Sequence, residues 1–161
     1  MPQKLDPGNK DLLLTPERRE HLDPDRIISL IPMRPYHRVA DIGCGPGFFT
    51  VPLAKYVSQG KLYALDTQDE MLEACRQRLA KVNLTNVELL RCEEKGQLPL
   101  PEGSLDGAFV AFVLHEVADK RGFMAAVQET LQKGGWLALL EWYKREMEEG
   151  PPVDERVSEE E

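Results

Sequence analysis

The chain has 161 residues, of which 42% are hydrophobic and 30% charged, a composition typical of one globular domain and not of a disordered, collagen-like or disulfide-rich protein. Asp and Glu outnumber Lys and Arg by 28 to 20, which gives a formal net charge of −8. The segment from Glu141 to Glu161 holds nine acidic and three basic residues, so neither the nearly neutral body nor the acidic tail offers the basic surface that nucleic-acid binding requires.

The sequence also allows predictions about membrane spans, metal sites and disulfides. No apolar stretch approaches the roughly 20 residues of a membrane-spanning helix, and residues 1–10 lack the apolar core of a signal peptide. Cys44, Cys75 and Cys92 are odd in number and lack the spacing of zinc ligands, which favours reduced thiols. We therefore predict a cytoplasmic protein with no bound metal and no membrane partner.

Strand-like and helix-like segments alternate along the chain. Strands are predicted at residues 37–42, 61–65, 87–92, 107–113 and 137–142. Helices are predicted from Pro16, over residues 24–31, from Phe48 or Phe49, from the capping box Thr67-x-x-Glu70, and from Asp119 to Gly134-Gly135. The fourth of these helices has an apolar face made of Met71, Leu72, Cys75, Leu79 and Val82.

This alternation predicts an α/β three-layer sandwich, because strands joined by helices form right-handed crossovers in a mainly parallel sheet covered on both faces. In such sheets ligands bind at the carboxyl ends of the strands, where the strand order reverses. Functional side chains are therefore expected directly after the strands.

The strongest chemical signal follows the first strand, where Gly43, Gly45 and Gly47 form a G-x-G-x-G pattern. Glycines allow a sharp turn and a close approach of the backbone to a ligand. Asp66, at the end of the second strand, is placed to accept hydrogen bonds from both hydroxyls of a ribose. Together they predict a nucleoside-containing cofactor. A pyrophosphate fingerprint needs glycine where Phe48 stands, which disfavours a nicotinamide dinucleotide.

The glycine pattern, with Asp41 two residues before it, resembles motif I of the class I S-adenosylmethionine-dependent methyltransferases, of the methyltransferase type 11/25/31-like kind. The resemblance continues through residues 64–72, 93–106, 113–117 and 131–137, which look like the family's ribose-acidic segment, adenine loop, turn after strand four and turn before strand five. It covers about residues 36–142.

The resemblance implies S-adenosylmethionine as the cofactor and a set of residues that contact it. These are Asp41, Gly43, Cys44, Gly45, Gly47, Asp66, Thr67, Met71, Glu93, Glu94, Ala111 and Phe112. No catalytic residue is assigned beyond His115, which either accepts a proton beside the substrate or orders the start of its helix. Arg18 and Arg19 either hold the cofactor carboxylate or form a solvated helix face, and Phe123, Trp136 and Trp142 are expected in the core.

The predicted function is transfer of a methyl group from S-adenosylmethionine to an unidentified small-molecule acceptor. Two alternatives are an NAD(P)-dependent oxidoreductase, and a non-catalytic module for cofactor binding or protein interaction.

The resemblance also implies a division of the single domain, residues 1–161, into a helical cover (1–35), a cofactor-binding core (36–142) and an acidic, loosely ordered tail (143–161). Ser158 to Glu161 has the spacing of a capping box at the point where the family begins another helix. We therefore expect a C-terminally truncated sheet of strand order 3-2-1-4-5 that lacks the family's last two strands. Its exposed fifth strand is a surface through which a homodimer could form.

Overall fold

A computed structural model describes residues 5–160, in which five strands alternate with helices. The strands are β1 (Arg38–Ile42), β2 (Lys61–Asp66), β3 (Val87–Arg91), β4 (Leu105–Ala111) and β5 (Leu131–Leu140). The helices are α1 (Pro16–Leu22), α2 (Pro24–Ser29), α3 (Thr50–Tyr56), α4 (Asp69–Lys81) and α5 (Lys120–Thr130). Short 3-10 helices span Pro7–Leu14, Leu114–Glu116 and Val153–Glu155. The first four residues of the predicted cover, and Glu161 of the predicted capping box, lie outside the described residues.

Three helices begin at the cap residues that the sequence indicates. The side chains of Thr15, Asp23 and Asp119 each accept a hydrogen bond from a backbone N–H three residues later, at 3.2, 3.2 and 2.9 Å respectively. Such bonds satisfy backbone donors that the first helical turn leaves without partners. The starts of α1, α2 and α5 are therefore determined locally.

The five strands form one parallel sheet in the order β3-β2-β1-β4-β5. Asp41 of the central strand is in register with Ala64 of β2 on one side and Phe109 of β4 on the other. The sheet reverses its order at β1, so the carboxyl ends of β1, β2 and β4 meet at one edge. The predicted α/β fold and strand order are confirmed, and β5 forms the edge of the sheet within residues 5–160.

Helices cover both faces of the sheet. On one face Phe109 packs with Phe49 and Leu53 of the α3 region, and α4 adds Leu72 and Cys75. On the other face a second cluster joins the strands to Val127 of α5 and to the loop that precedes β4. The result is the predicted three-layer sandwich. No helix within residues 5–160 is long and apolar enough to cross a membrane.

The predicted capping box of α4 is wrong. The helix begins at Asp69 with Gln68 as the N-cap residue and no side-chain cap, because the carboxylate of Asp66 takes the Gln68 N–H and holds the preceding turn outside the helix. Val82 is also not on the buried face. It is the non-helical C-cap residue and is exposed.

The boundaries around β4 and β5 differ from the predicted ones. The sequence places the end of α5 at Gly134-Gly135, whereas the helix ends at Thr130 and Leu131 already pairs with Leu105. The register shifts before Gly107, and only then does regular pairing with Trp136 begin. β4 itself ends two residues before its predicted end, because Phe112 has a φ of +58°, outside the extended region.

Candidate functional site

A cavity of about 1220 Å³ lies at the carboxyl edge of the sheet. Loops after β1, β2, β3 and β4 form its walls, together with residues of segments 5–13 and 150–155. Eleven of the twelve predicted cofactor residues line this cavity: Asp41, Gly43, Cys44, Gly45, Asp66, Thr67, Met71, Glu93, Glu94, Ala111 and Phe112. The tertiary structure thus brings together residues that lie up to 71 positions apart in the chain.

The three glycines of the first loop have different surroundings. A Cβ on Gly43 would collide with the side chain of Val113, and a Cβ on Gly47 would lie 3.0 Å from the Cys75 sulfur on α4. A Cβ on Gly45 would meet only Leu13, at 3.6 Å. Gly45 therefore keeps the cavity open, whereas Gly47, which does not line the cavity, allows the loop to pack on α4.

Asp66 joins the end of β2 to the glycine loop. Its Oδ2 oxygen accepts a hydrogen bond from the Gly45 N–H at 2.9 Å, and its Oδ1 oxygen accepts one from the Gln68 N–H at 3.0 Å. A carboxylate offers about four acceptor positions, and a ribose hydroxyl is a suitable donor to such a group. Asp66 is thus both a support of the loop and a candidate ribose acceptor.

Asp41 lies buried behind the same loop. The Thr50 hydroxyl donates a 2.6 Å hydrogen bond to its Oδ2 oxygen. Burial raises the pKa of Asp41 to about 7, an effect that the Thr50 hydrogen bond opposes and the charge of Asp66 reinforces. Two neighbouring acidic groups give this end of the cavity an electrostatic preference for a cationic part of a ligand.

The N-terminal segment supplies one wall of the cavity. Leu5, Asp6, Asn9 and Leu13 line it, and the Leu5 carbonyl accepts a hydrogen bond from the Gln68 side chain at 3.2 Å. None of these four residues carries a sequence signal that we recognise, because their role depends only on where the segment crosses the cavity.

The two candidate arginines have different environments. The Arg18 guanidinium lies 5.0 Å from the centre of the Phe48 ring and 5.8 Å from that of Phe112, inside the cavity. Arg19 is exposed and lies 3.5 Å from the carboxylate of Asp25. Of the alternatives raised by the sequence, a cavity role is open to Arg18, and Arg19 belongs to the solvated helix face.

The wall that faces Arg18 is aromatic. Phe112 keeps its left-handed backbone conformation while its N–H donates a hydrogen bond to the Leu140 carbonyl at 2.9 Å. Such a conformation is costly for a bulky residue and is concentrated at functional sites. The Trp142 ring lies 5.1 Å from the Phe112 ring and also lines the cavity. Trp142 is therefore a wall residue, not the core residue that the sequence predicts.

His115 lines the cavity beside this wall, and its partner is Glu141. The Nδ1 atom of His115 lies 2.8 Å from Oε1 of Glu141. Sequence reasoning missed Glu141, although a carboxylate directly after β5 follows the same rule about strand ends that singled out Asp66. The pair joins the carboxyl ends of β4 and β5.

The C-terminal tail closes the remaining side. Gly150, Pro151, Pro152 and Glu155 line the cavity. Arg156 is only 3% exposed, and its guanidinium donates hydrogen bonds to the carbonyls of residues 143, 145, 149 and 151 at 2.7 to 3.1 Å. These contacts connect Arg156 to the backbone of residues 143–151.

The thiols and acidic groups do not form a metal centre in the part of the chain that the structure describes. No group of three or more His, Cys, Asp or Glu side chains within residues 5–160 is arranged to hold a metal ion. Cys44, Cys75 and Cys92 are buried. Cys44 lies in the cavity wall, but its thiol is turned to the Gly45 carbonyl at 3.5 Å.

Comparison with known proteins identifies the family of this chain. Residues 40–139 match a family described as a methyltransferase domain. The structure of an S-adenosylmethionine-dependent methyltransferase from Aquifex aeolicus is 35% identical, with a TM-score of 0.90 over 96% of this chain and 82% of that one. Nothing in these matches favours the nicotinamide alternative.

Two curated relatives are similar over shorter stretches. A ubiquinone/menaquinone biosynthesis C-methyltransferase of Teredinibacter turnerae is 36% identical over 73% of this chain and 47% of its own length. An uncharacterized transposon protein of Streptomyces fradiae is 35% identical over 70% of this chain and 32% of its own. The chain thus spans a third to a half of these relatives.

Proposed function

The chain belongs to the S-adenosylmethionine-dependent methyltransferases, and from this premise we propose that it transfers the methyl group of that cofactor to a small organic acceptor. The observation that carries the proposal is the junction between Asp66 and Gly45, 2.9 Å apart. It places a carboxylate and an unobstructed glycine on the same wall of one large cavity. S-adenosylmethionine supplies the reactive group, a methyl on a positively charged sulfur.

The residues of the cavity fit the parts of this cofactor. We assign the ribose hydroxyls to Asp66 and the adenine to Met71, with Thr67, Glu93 and Glu94 around it. The buried acid Asp41 favours the cationic part of the cofactor electrostatically. The protein's main contribution is to orient the two reactants and to exclude water.

In this proposal the acceptor lies on the side of the cavity that follows β4 and β5. Arg18, Phe112 and Trp142 form a wall of one cation and two rings, which suits a flat organic molecule. The quinone-pathway C-methyltransferases among the relatives carry names consistent with such an acceptor. We also infer that nucleic acid is not the acceptor, since the net charge is −8.

Calorimetric titration tests the cofactor, and mass spectrometry tests the reaction. We expect S-adenosylmethionine and S-adenosylhomocysteine to bind, and NADH not to bind. With a methyl-labelled cofactor and a metabolite extract, we expect label in a small organic product. Binding of NADH in place of S-adenosylmethionine would support the oxidoreductase. Tight cofactor binding with no labelled product from any extract would favour the non-catalytic module.

We propose that the division of the chain follows this chemistry. Residues 36–142 form the cofactor-binding core, and the segments before and after it form the cover of the acceptor side. Support comes from the N-terminal residues and the tail, which both line the cavity. A cytoplasmic setting is part of the proposal, because three cysteines are odd in number and lack the pattern of a disulfide-stabilised secreted protein.

We further propose a homodimer through β5. Its outer edge has no neighbouring strand within residues 5–160, and Leu137 and Leu139 are 39% and 42% exposed. Light scattering should show a dimer that the double change Leu137→Lys and Leu139→Lys converts to a monomer. Leu30→Lys is the matched control, since Leu30 is 80% exposed at the end of α2. A wild-type monomer at micromolar concentration contradicts this interface.

A further inference from the structure

Glu141 and His115 form a buried pair between the ends of β5 and β4. Their side chains are 11% and 9% exposed. The carboxylate accepts hydrogen bonds from the backbone N–H of His115 at 3.2 Å and from that of Trp142 at 2.9 Å, in addition to its 2.8 Å contact with Nδ1 of His115. Two backbone donors hold the carboxylate in place, so the carboxylate can in turn hold the imidazole ring.

The ionisation of Glu141 determines where the shared proton lies. Burial raises the pKa of Glu141, but hydrogen bonds from His115 and the Trp142 N–H outweigh burial and keep the pKa below its ordinary value. An ionised carboxylate can only accept hydrogen bonds. The proton between the two side chains therefore lies on Nδ1, and in a neutral imidazole the other nitrogen, Nε2, is then an acceptor.

The Nε2 atom is available to a ligand. Within residues 5–160 it has no hydrogen-bond partner, and Oε1 of Glu116 is 3.9 Å away, beyond hydrogen-bonding distance. His115 lines the same cavity as Phe112 and Trp142. The ring is thus fixed on its Nδ1 side by the protein, and its Nε2 side is left for the contents of the cavity.

We propose that Nε2 of His115 accepts the proton of the methyl acceptor, and that Glu141 is the positioning residue that sets the tautomer. This inference rests on the proposed function and defines its acceptor class: a hydroxyl of phenol-like acidity. A neutral imidazole nitrogen can accept the proton of such a hydroxyl as the new bond to carbon forms. The rings of Phe112 and Trp142 offer a packing surface for such an acceptor.

The step balances without a further reactant. The O–H bond of the acceptor breaks and its proton goes to Nε2 of His115, while an oxygen lone pair forms the bond to the methyl carbon. Bound S-adenosylmethionine would supply the methyl group and would keep the electron pair of the broken carbon–sulfur bond as a neutral thioether. The carboxylate of Glu141 stabilises the resulting imidazolium, which then returns the proton to water.

Nitrogen-15 NMR of the histidines tests the tautomer and needs no acceptor. The chain has three histidines, and loss of one signal in His115→Asn assigns His115. We expect Nδ1 of His115 to be protonated and Nε2 unprotonated. His37 is an internal reference for the opposite tautomer, because its Nδ1 accepts hydrogen bonds from the Arg34 N–H and the Trp136 indole N–H.

Replacing the positioning residue should change this spectrum. Glu141→Gln removes the carboxylate charge, so we expect a mixture of both His115 tautomers and an unchanged His37 signal. Glu102→Gln, at an exposed site, should leave all signals unchanged. A wild-type His115 protonated on Nε2, or on both nitrogens, would overturn the proposal.

Titration with 4-nitrophenol tests the proton acceptor and its ligand class. The probe is added to the S-adenosylhomocysteine complex at a pH where the free phenol is mostly protonated. We expect the phenolate band to rise about threefold on binding to the wild type; this rise should be roughly tenfold smaller in Glu141→Gln and absent in His115→Asn. Circular dichroism shows whether each variant is folded.

The two proposals fail in distinguishable ways. A wild-type complex that forms but gives no phenolate band overturns the role of His115 and leaves methyl transfer standing. Failure of the wild type to bind S-adenosylmethionine or S-adenosylhomocysteine overturns the proposed function, whereas the His115 tautomer is still read by NMR in the free protein.

Discussion

The two halves of the cavity are built in different ways. Around β1 and β2 the wall contains the glycine loop and the acidic side chains of Asp41 and Asp66, and its main contact joins Gly45 to Asp66. Around β4 and β5 the wall consists of side chains: a strained Phe112, the His115–Glu141 pair and Trp142 under the tail. The first half suits a nucleoside mainly through its shape. The second half offers charged groups and aromatic rings.

This difference indicates which half of the cavity determines specificity for the acceptor. Backbone donors and glycines recognise what every cofactor molecule has in common, and few side chains can vary there without blocking the site. The other half is formed by side chains, so substitutions there change the surface offered to the acceptor and leave the glycine loop unchanged. Mutations in the first half should therefore abolish cofactor binding, and mutations in the second half should leave it intact.

Gly45→Val should have the largest effect. Gly45 has a φ of +53°, and a valine there would be strained and would project into the cavity. We expect binding of S-adenosylmethionine to fall by more than roughly 100-fold in calorimetry, about 3 kcal/mol. Gly103→Val is a matched control, since Gly103 has a φ of +61° with nothing within 4 Å of the added Cβ. Equal loss in both variants would mean that strain alone is responsible.

Asp66→Ala should weaken S-adenosylmethionine binding by at least about tenfold, since a carboxylate acceptor of this kind contributes on the order of 1.5 to 3 kcal/mol. Asp66→Asn keeps the size and removes the charge, and should lose nearly as much. Asp25→Asn, an exposed acid outside the cavity, is the control. Unchanged calorimetric affinity in a folded Asp66 variant would remove Asp66 from the ribose site.

Asp41 should make the protein less stable as pH rises. Its pKa is raised to about 7 in the folded chain, so its contribution to stability is complete below the unfolded pKa of about 4 and is lost as pH rises through 7. Between pH 6 and 8 this group alone should lower the free energy of unfolding by about 1.4 kcal/mol.

Urea unfolding at pH 6 and pH 8 measures this change. Asp41→Asn should lack this pH-dependent loss, because asparagine does not titrate and can still accept the Thr50 hydroxyl. Equal pH dependence in the wild type and Asp41→Asn would show that Asp41 is already ionised at pH 6.

Arg156→Leu should have the smallest effect on the cofactor half. Loss of its hydrogen bonds to four carbonyls should release the tail and speed proteolysis after Trp142. Affinity for S-adenosylmethionine should stay within about twofold. Arg145→Ala tests an exposed arginine of the same segment and should leave proteolysis unchanged. A large loss of cofactor affinity in Arg156→Leu would contradict the division of the cavity into two halves.

The sequence alone determined the family, the cofactor and most of the fold. The family, the cofactor and the sheet order are confirmed. These features depend on local patterns: apolar runs, cap residues, and the short distance between a glycine loop and the next strand. The residues that resemble motif I lie within ten positions of one another, so their arrangement needs no knowledge of distant contacts.

The tertiary structure decided the features that join distant parts of the chain. The partner of His115 lies 26 residues away on another strand, and Arg18 meets Phe112 only because the N-terminal segment crosses the cavity. The start of β5 at Leu131 likewise depends on pairing with Leu105. Such contacts depend on packing between elements that are distant in the chain, which a local pattern of residues does not determine.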